Sequence, residues 1–183
     1  MNAKLLAKIL LSDQDYKELS RALNLLENKK LKEIYNCYSN MLSECLPICS
    51  YDDFYDFFSS DVLDESIFVF GFLWLKGECI QIGGYEQEVQ LKINLFVKGK
   101  ISDIDLENFQ AIDIFTDYDG DDNFTEYISQ LNGLVSRYNM RIVVLFNDIY
   151  CACAYDLFIL DTQTAETIMR SWNDDSIKLC FVR

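Results

Sequence analysis

The sequence predicts an α+β fold, with a helical N-terminal part packed on a mixed or antiparallel sheet of about five strands and further helices covering the sheet. Three observations carry that prediction. Apolar residues recur every three or four positions through the first sixty residues, the period of an amphipathic helix. From residue 66 onward the apolar runs become continuous or alternating, as strands require. No linker rich in proline, glycine or serine divides the chain, and Pro47 is its only proline. The 183 residues therefore read as one domain, with 1–60 mainly helical and 66–183 containing the sheet.

The elements follow in order. Leu5, Leu6 and Ile9 open a first helix, and Tyr16, Leu19, Leu23 and Leu26 continue the stripe. Leu31, Ile34, Tyr35, Tyr38, Met41 and Leu42 form another, which Pro47 closes. YDDFYDFFSSDVLDE places Phe54, Phe57 and Phe58 on one face of a short acidic, aromatic helix. SIFVFGFLWL (66–75) is almost wholly apolar and reads as a strand that turns at Lys76-Gly77 into ECIQI. Residues 86–97 fit either period, since Val89, Leu91, Ile93 and Leu95 alternate while Val89, Lys92, Ile93 and Phe96 share a helical face. Glu86, Gln87 and Glu88 suit a first helical turn, so helix is preferred.

FQAIDIF (109–115) reads as a buried strand, followed by a helix that turns Phe124, Tyr127, Ile128, Leu131, Leu134, Val135 and Tyr138 inward. MRIVVLF (140–146) and CACAYDLFIL (151–160) form an antiparallel hairpin around Asn147-Asp148. Asp161 and Thr162 open a short helix carrying Ala165, Ile168, Met169 and Trp172, and KLCFV closes the chain as a strand.

Composition narrows the function. The opening MNAKLLAKILL resembles a signal start, but Lys8 interrupts it and Asp13 and Asp15 follow, so an amphipathic helix is the better reading. No apolar stretch reaches membrane-spanning length, and a cytoplasmic protein is expected. The seven cysteines include no CxxC pair and there is no histidine, so they read as small buried side chains rather than zinc ligands. The net charge is −14, and it is unevenly distributed. Residues 33–75 hold eight acids and no Lys or Arg, and residues 101–136 hold nine acids and again no base. Such segments repel nucleic acid and anionic membranes and favour a cationic partner.

FTDYDGDDNFTEY (115–127) concentrates this acidity. An EF-hand register begun at Asp117 needs Gly and Glu where Asp122 and Ile128 stand, and one begun at Asp119 meets Phe124 and Gln130. Both registers fail. A magnesium site made of a few carboxylates and water leaves little trace in a sequence and stays open. A turn is better supported: Gly120 permits the reversal, Asn123 caps the next helix, and Glu126 reaches back in a capping box.

Catalysis has few footholds. Without histidine no Ser-His or Cys-His pair can form, and HExxH, GxGxxG and the GxxxxGK[ST] phosphate loop are absent. A carboxylate-based hydrolase using Asp113, Asp117 or Asp119 is the enzymatic alternative. A homodimeric structural or regulatory module is a third reading, and the oligomeric state stays open. No catalytic residue, cofactor or metal ligand is assigned. The preferred expectation is non-catalytic binding of a basic protein. Its surface would comprise Tyr51, Asp52, Asp53, Phe54 and Asp56 together with Asp117, Tyr118, Asp119, Asp121 and Asp122.

The strand end FLWLKGE, the segment AIDIFTDYDGDDNFTEYISQLNGLVSRYNMRIVVLFND and the strand CACAYDLFIL together resemble a family of small bacterial proteins grouped as a domain of unknown function. The resemblance spans residues 66–172 and implies a fold without a mechanism, while NDIYCAC and the GGYEQE insertion depart from the family pattern. In size and acidity the chain is also similar to bacterial toxin-immunity proteins, which neutralise basic toxins.

Overall fold

The structure, a computed structural model, describes residues 2–45, 50–52, 54–55, 65–83, 89–106, 121–147, 154–173 and 177–181. The chain divides into two compact units, Asn2–Glu78 and the remainder from Cys79 onward.

Helices α1 (Ala3–Leu10), α2 (Asp13–Glu27), α3 (Leu31–Cys45) and α4 (Glu65–Leu75) build the first unit. Asn2 caps α1 by accepting from the Leu5 amide at 3.1 Å. Ser12 caps α2 by accepting from the Asp15 amide at 3.2 Å, and its hydroxyl donates to Asp15 Oδ2 at 2.6 Å. Lys76, and after it the Ser12 hydroxyl, hold the Asp15 carboxyl below its ordinary range. Helix α4 is SIFVFGFLWL, the run expected to be a strand. Phe68, Val69, Phe70, Phe72 and Leu73 are all buried on it, and α1, α2 and α3 all pack against it. A helix enclosed on every side has no polar face, so its sequence carries no helical period.

Among the described residues four strands build the second unit: β1 (Cys79–Gly83), β2 (Met140–Asn147), β3 (Ala154–Asp161) and β4 (Ile177–Phe181). They form an open sheet in the order β1-β3-β2-β4, antiparallel at every pairing. This corrects the expected sheet of about five strands. The 66–75 segment leaves the sheet for a helix, the expected strand at 109–115 lies outside the described residues, and helices hold far more of the chain than strands.

Helices α5 (Val89–Lys100) and α6 (Asp121–Val135) cover one sheet face. Val89, Ile93 and Val97 of α5 and Phe124, Tyr127, Ile128, Leu131 and Val135 of α6 pack on Ile82, Ile142, Val144, Tyr155, Leu157 and Ile159. The four-residue spacing on α5 resolves the ambiguous segment as a helix. Tyr127 donates its hydroxyl to Asn94 Oδ1 at 2.9 Å, tying α6 to α5, and burial pushes its phenol above the ordinary tyrosine range. Tyr138, expected inside, lies in the 3₁₀ turn Ser136–Tyr138 with 41% of its surface exposed, donating to the Asp103 carbonyl at 2.9 Å. Helix α7 (Thr162–Ser171) starts at Asp161, whose carboxylate accepts from the Thr164 amide at 2.9 Å. It packs on β2 and β3 through Ala165 and Ile168, which lie outside the first-face cluster.

Candidate functional site

Strand alternation sorts β3 into two sets. Tyr155, Leu157 and Ile159 enter the cluster under α5 and α6, so Asp156, Phe158 and Leu160 point to the other face. Asp156 stands directly opposite Gln81 on β1 and Leu145 on β2. Only 1% of Asp156 is exposed, and among the described residues nothing donates to its Oδ2. Loss of water pushes this carboxyl up to about 8, with no charged neighbour contributing. Near neutral pH it is therefore a neutral acid, able to donate one hydrogen bond and to accept others. This is the most perturbed acid among the described residues.

The sequence reading passed over Asp156. A signal was present, because it is the lone charge in the otherwise apolar run CACAYDLFIL before Asp161. In a strand buried on both faces, any acid at either alternation is buried.

The residues expected to form a binding surface fare differently. Tyr51 is half-buried and Asp52 exposed, next to each other in a helical turn. Phe54 is fully buried, with its ring 5.5 Å from Tyr35 and 6.3 Å from Tyr51. It is a core residue of the first unit and cannot be a surface anchor. Tyr55, overlooked before, is 49% exposed and 6.2 Å from Tyr51, and it presents the ring that Phe54 does not. Asp53, Asp56, Asp113, Asp117, Tyr118 and Asp119 lie outside the described residues.

Asp121, Asp122 and Asn123 are described in their backbone alone, as the first residues of α6. The helix thus starts at Asp121, which puts Asn123 inside it rather than at its cap. Glu126 accepts from Gln130 Nε2 at 3.1 Å, one turn further along the helix. Asp52 belongs to the first unit, Asp121 and Asp122 to the second.

Two of the acids in block 33–75 find cations from the N-terminal segment. Glu33 meets Lys30 at 3.4 Å and Glu65 meets Lys4 at 2.6 Å. Lys4 also reaches Glu27 at 3.2 Å. Lys76 joins Asp15 at 2.7 Å and Glu18 at 3.5 Å, with its ammonium 5.2 Å from the centre of the Phe72 ring. Several bases are thus engaged within the fold.

Among the described residues no three His, Cys, Asp or Glu side chains converge as a metal site would require, and no helix is long and apolar enough to cross a membrane. No family model, curated protein or solved structure matches the chain, so the resemblance over residues 66–172 rests on the segments quoted for it.

Proposed function

We propose that the chain is a non-catalytic, cytoplasmic binding module for a basic protein, acting as toxin-immunity proteins do. The observation that carries the reading is the exposed turn of Asp52 and Tyr55 within a segment, 33–75, that holds no Lys or Arg. Tyrosine beside carboxylate suits a cationic protein surface, since the ring supplies apolar area and the acid steers encounter.

The test is capture of partners from host lysate at low and high salt, followed by affinity measurement with the purified partner. Wild type is compared with Asp52→Asn/Tyr55→Ala and with Asp117→Asn/Asp119→Asn/Asp121→Asn. Binding should weaken as salt rises, because exposed charges are screened over about 8 Å at physiological ionic strength. At least one variant should associate more slowly. Equal affinity and equal salt dependence for all three proteins would overturn the proposal.

A further inference from the structure

Asp156 lies in the middle of β3, which pairs with β1 along one side and β2 along the other. Among the described residues of its unit, the groups that share its sheet face supply no charge close by. Strand β1 offers the half-buried Gln81 amide and the buried Cys79 thiol. Strand β2 offers Val143 and Leu145, both fully buried, with Arg141 further along opposite Leu160. In β4 the residue opposite Leu145 is Leu179, and Lys178 stands opposite Phe146, at the alternate register position. Helix α7 contributes Ala165 and Ile168, and its half-buried Glu166 pairs with the exposed Arg170 at 3.0 Å. The charges of α5 and α6, such as Lys92 and Glu126, belong to helices packed on the opposite face.

A carboxyl in such surroundings is tolerated while neutral, but once ionised it needs donors or water. The least costly route to water is over β1. Among the described strands it lies at the sheet edge, five residues long and paired with β3 alone. Its central residue, Gln81, is half-buried and directly opposite the acid. Strand β2, by contrast, is paired on both sides.

We propose that Asp156 is a proton-controlled latch on the edge strand β1. While it keeps its proton β1 stays paired with β3. When the proton leaves, the carboxylate takes up water or the Gln81 amide from the β1 side, and the strand is released. Burial pushes the carboxyl up to about 8, which places the release just above neutral pH.

Amide hydrogen exchange tests the latch on the full chain. Protection would be followed from about pH 6 to about pH 9 and corrected for the intrinsic base-catalysed rate. In wild type, protection of Cys79–Gly83 should fall by about tenfold or more across that range, while that of Met140–Asn147 holds. In Asp156→Asn, a neutral side chain of the same size, both should stay level. The latch is overturned if β1 protection in wild type does not change with pH, if β1 and β2 lose it together, or if Asp156→Asn repeats the wild-type profile. If the variant folds poorly, the β1-against-β2 contrast in wild type decides alone, together with the carboxyl carbon of Asp156 titrating over the same range.

Discussion

Asn132 brackets the backbone of Ile142: the Ile142 amide donates to Asn132 Oδ1 at 2.7 Å, and Asn132 Nδ2 donates to the Ile142 carbonyl at 3.3 Å. Strand β4 pairs with β2 at Val144 and beyond, so on that side Ile142 has no ladder partner among the described strands. The side chain of α6 stands in for the missing strand, satisfying both polar groups of a fully buried residue. Asn132→Leu removes donor and acceptor together and strands a buried amide, at a cost of about 1–3 kcal/mol. Asn132→Asp keeps the acceptor and should cost less at acidic pH, where its carboxyl can also donate. Chemical denaturation of the three proteins checks the ranking, and equal midpoints would refute it.

Two helix ends make opposite predictions. Helix α4 ends with the Gly77 amide on the Trp74 carbonyl and the Glu78 amide on the Leu73 carbonyl, both at 2.9 Å, with Gly77 at φ +71°. Helix α2 ends in the same pattern, Lys29 to Leu26 and Lys30 to Leu25, but Lys29 holds the left-handed position at φ 53°. No atom lies within 4 Å of a Cβ added at Gly77, so Gly77→Ala meets backbone strain alone, about 1 kcal/mol. Lys29→Gly relieves the same strain and should stabilise by a few tenths to about 1 kcal/mol. Thermal melts moving in the same direction for both variants would contradict the account.

How legible these features were follows from how each signals itself. Helix α5 could be read because Val89, Ile93 and Val97 repeat on one face, and strands β2 and β3 because their apolar runs are bounded by turn residues. Helix α4 could not be read by period, since Phe68 to Leu73 are buried whichever way they point. Its length was the available cue, because eleven residues is long for a strand. Phe54 resembled a surface anchor because acids flank it, yet the rings of Tyr35 and Tyr51 enclose it. Asn132 is an ordinary polar helix residue until β2 is seen to have no described neighbour beside Ile142. Local pattern reports burial well; tertiary partners it does not report.

Lys4 ties the start of α1 to the end of α2 through Glu27 and to the start of α4 through Glu65. All three side chains keep at least a third of their surface in water, which limits the worth of each pair. Lys4→Met should cost about 0.5–1 kcal/mol at low salt and close to nothing at about 1 M salt, where screening acts within about 3 Å. Parallel salt series for wild type and variant measure the convergence. A gap that does not change with salt would mean that the charge of Lys4 is not what the variant loses.

Asp156 sets how stability should depend on pH. Its folded value, about 8, lies above the ordinary 3.8, so the proton is held more tightly in the folded chain than in the unfolded one. Below the ordinary value both states are protonated and the group's contribution is fully present. As pH rises the unfolded chain ionises first, so stability drains away across the window from 3.8 to about 8 and levels off once the folded carboxyl ionises as well. The slope contributed by one such group is at most about 1.4 kcal/mol per pH unit. Asp156→Asn removes that slope. Its unpaired amide adds an offset at every pH, so the comparison rests on the trend rather than on any single value. Relative to wild type the variant should gain stability steadily from about pH 5 to about pH 8 in denaturant titrations. Curves that run parallel through this window would mean that the carboxyl ionises as readily folded as unfolded, and the buried, neutral acid would have to be abandoned.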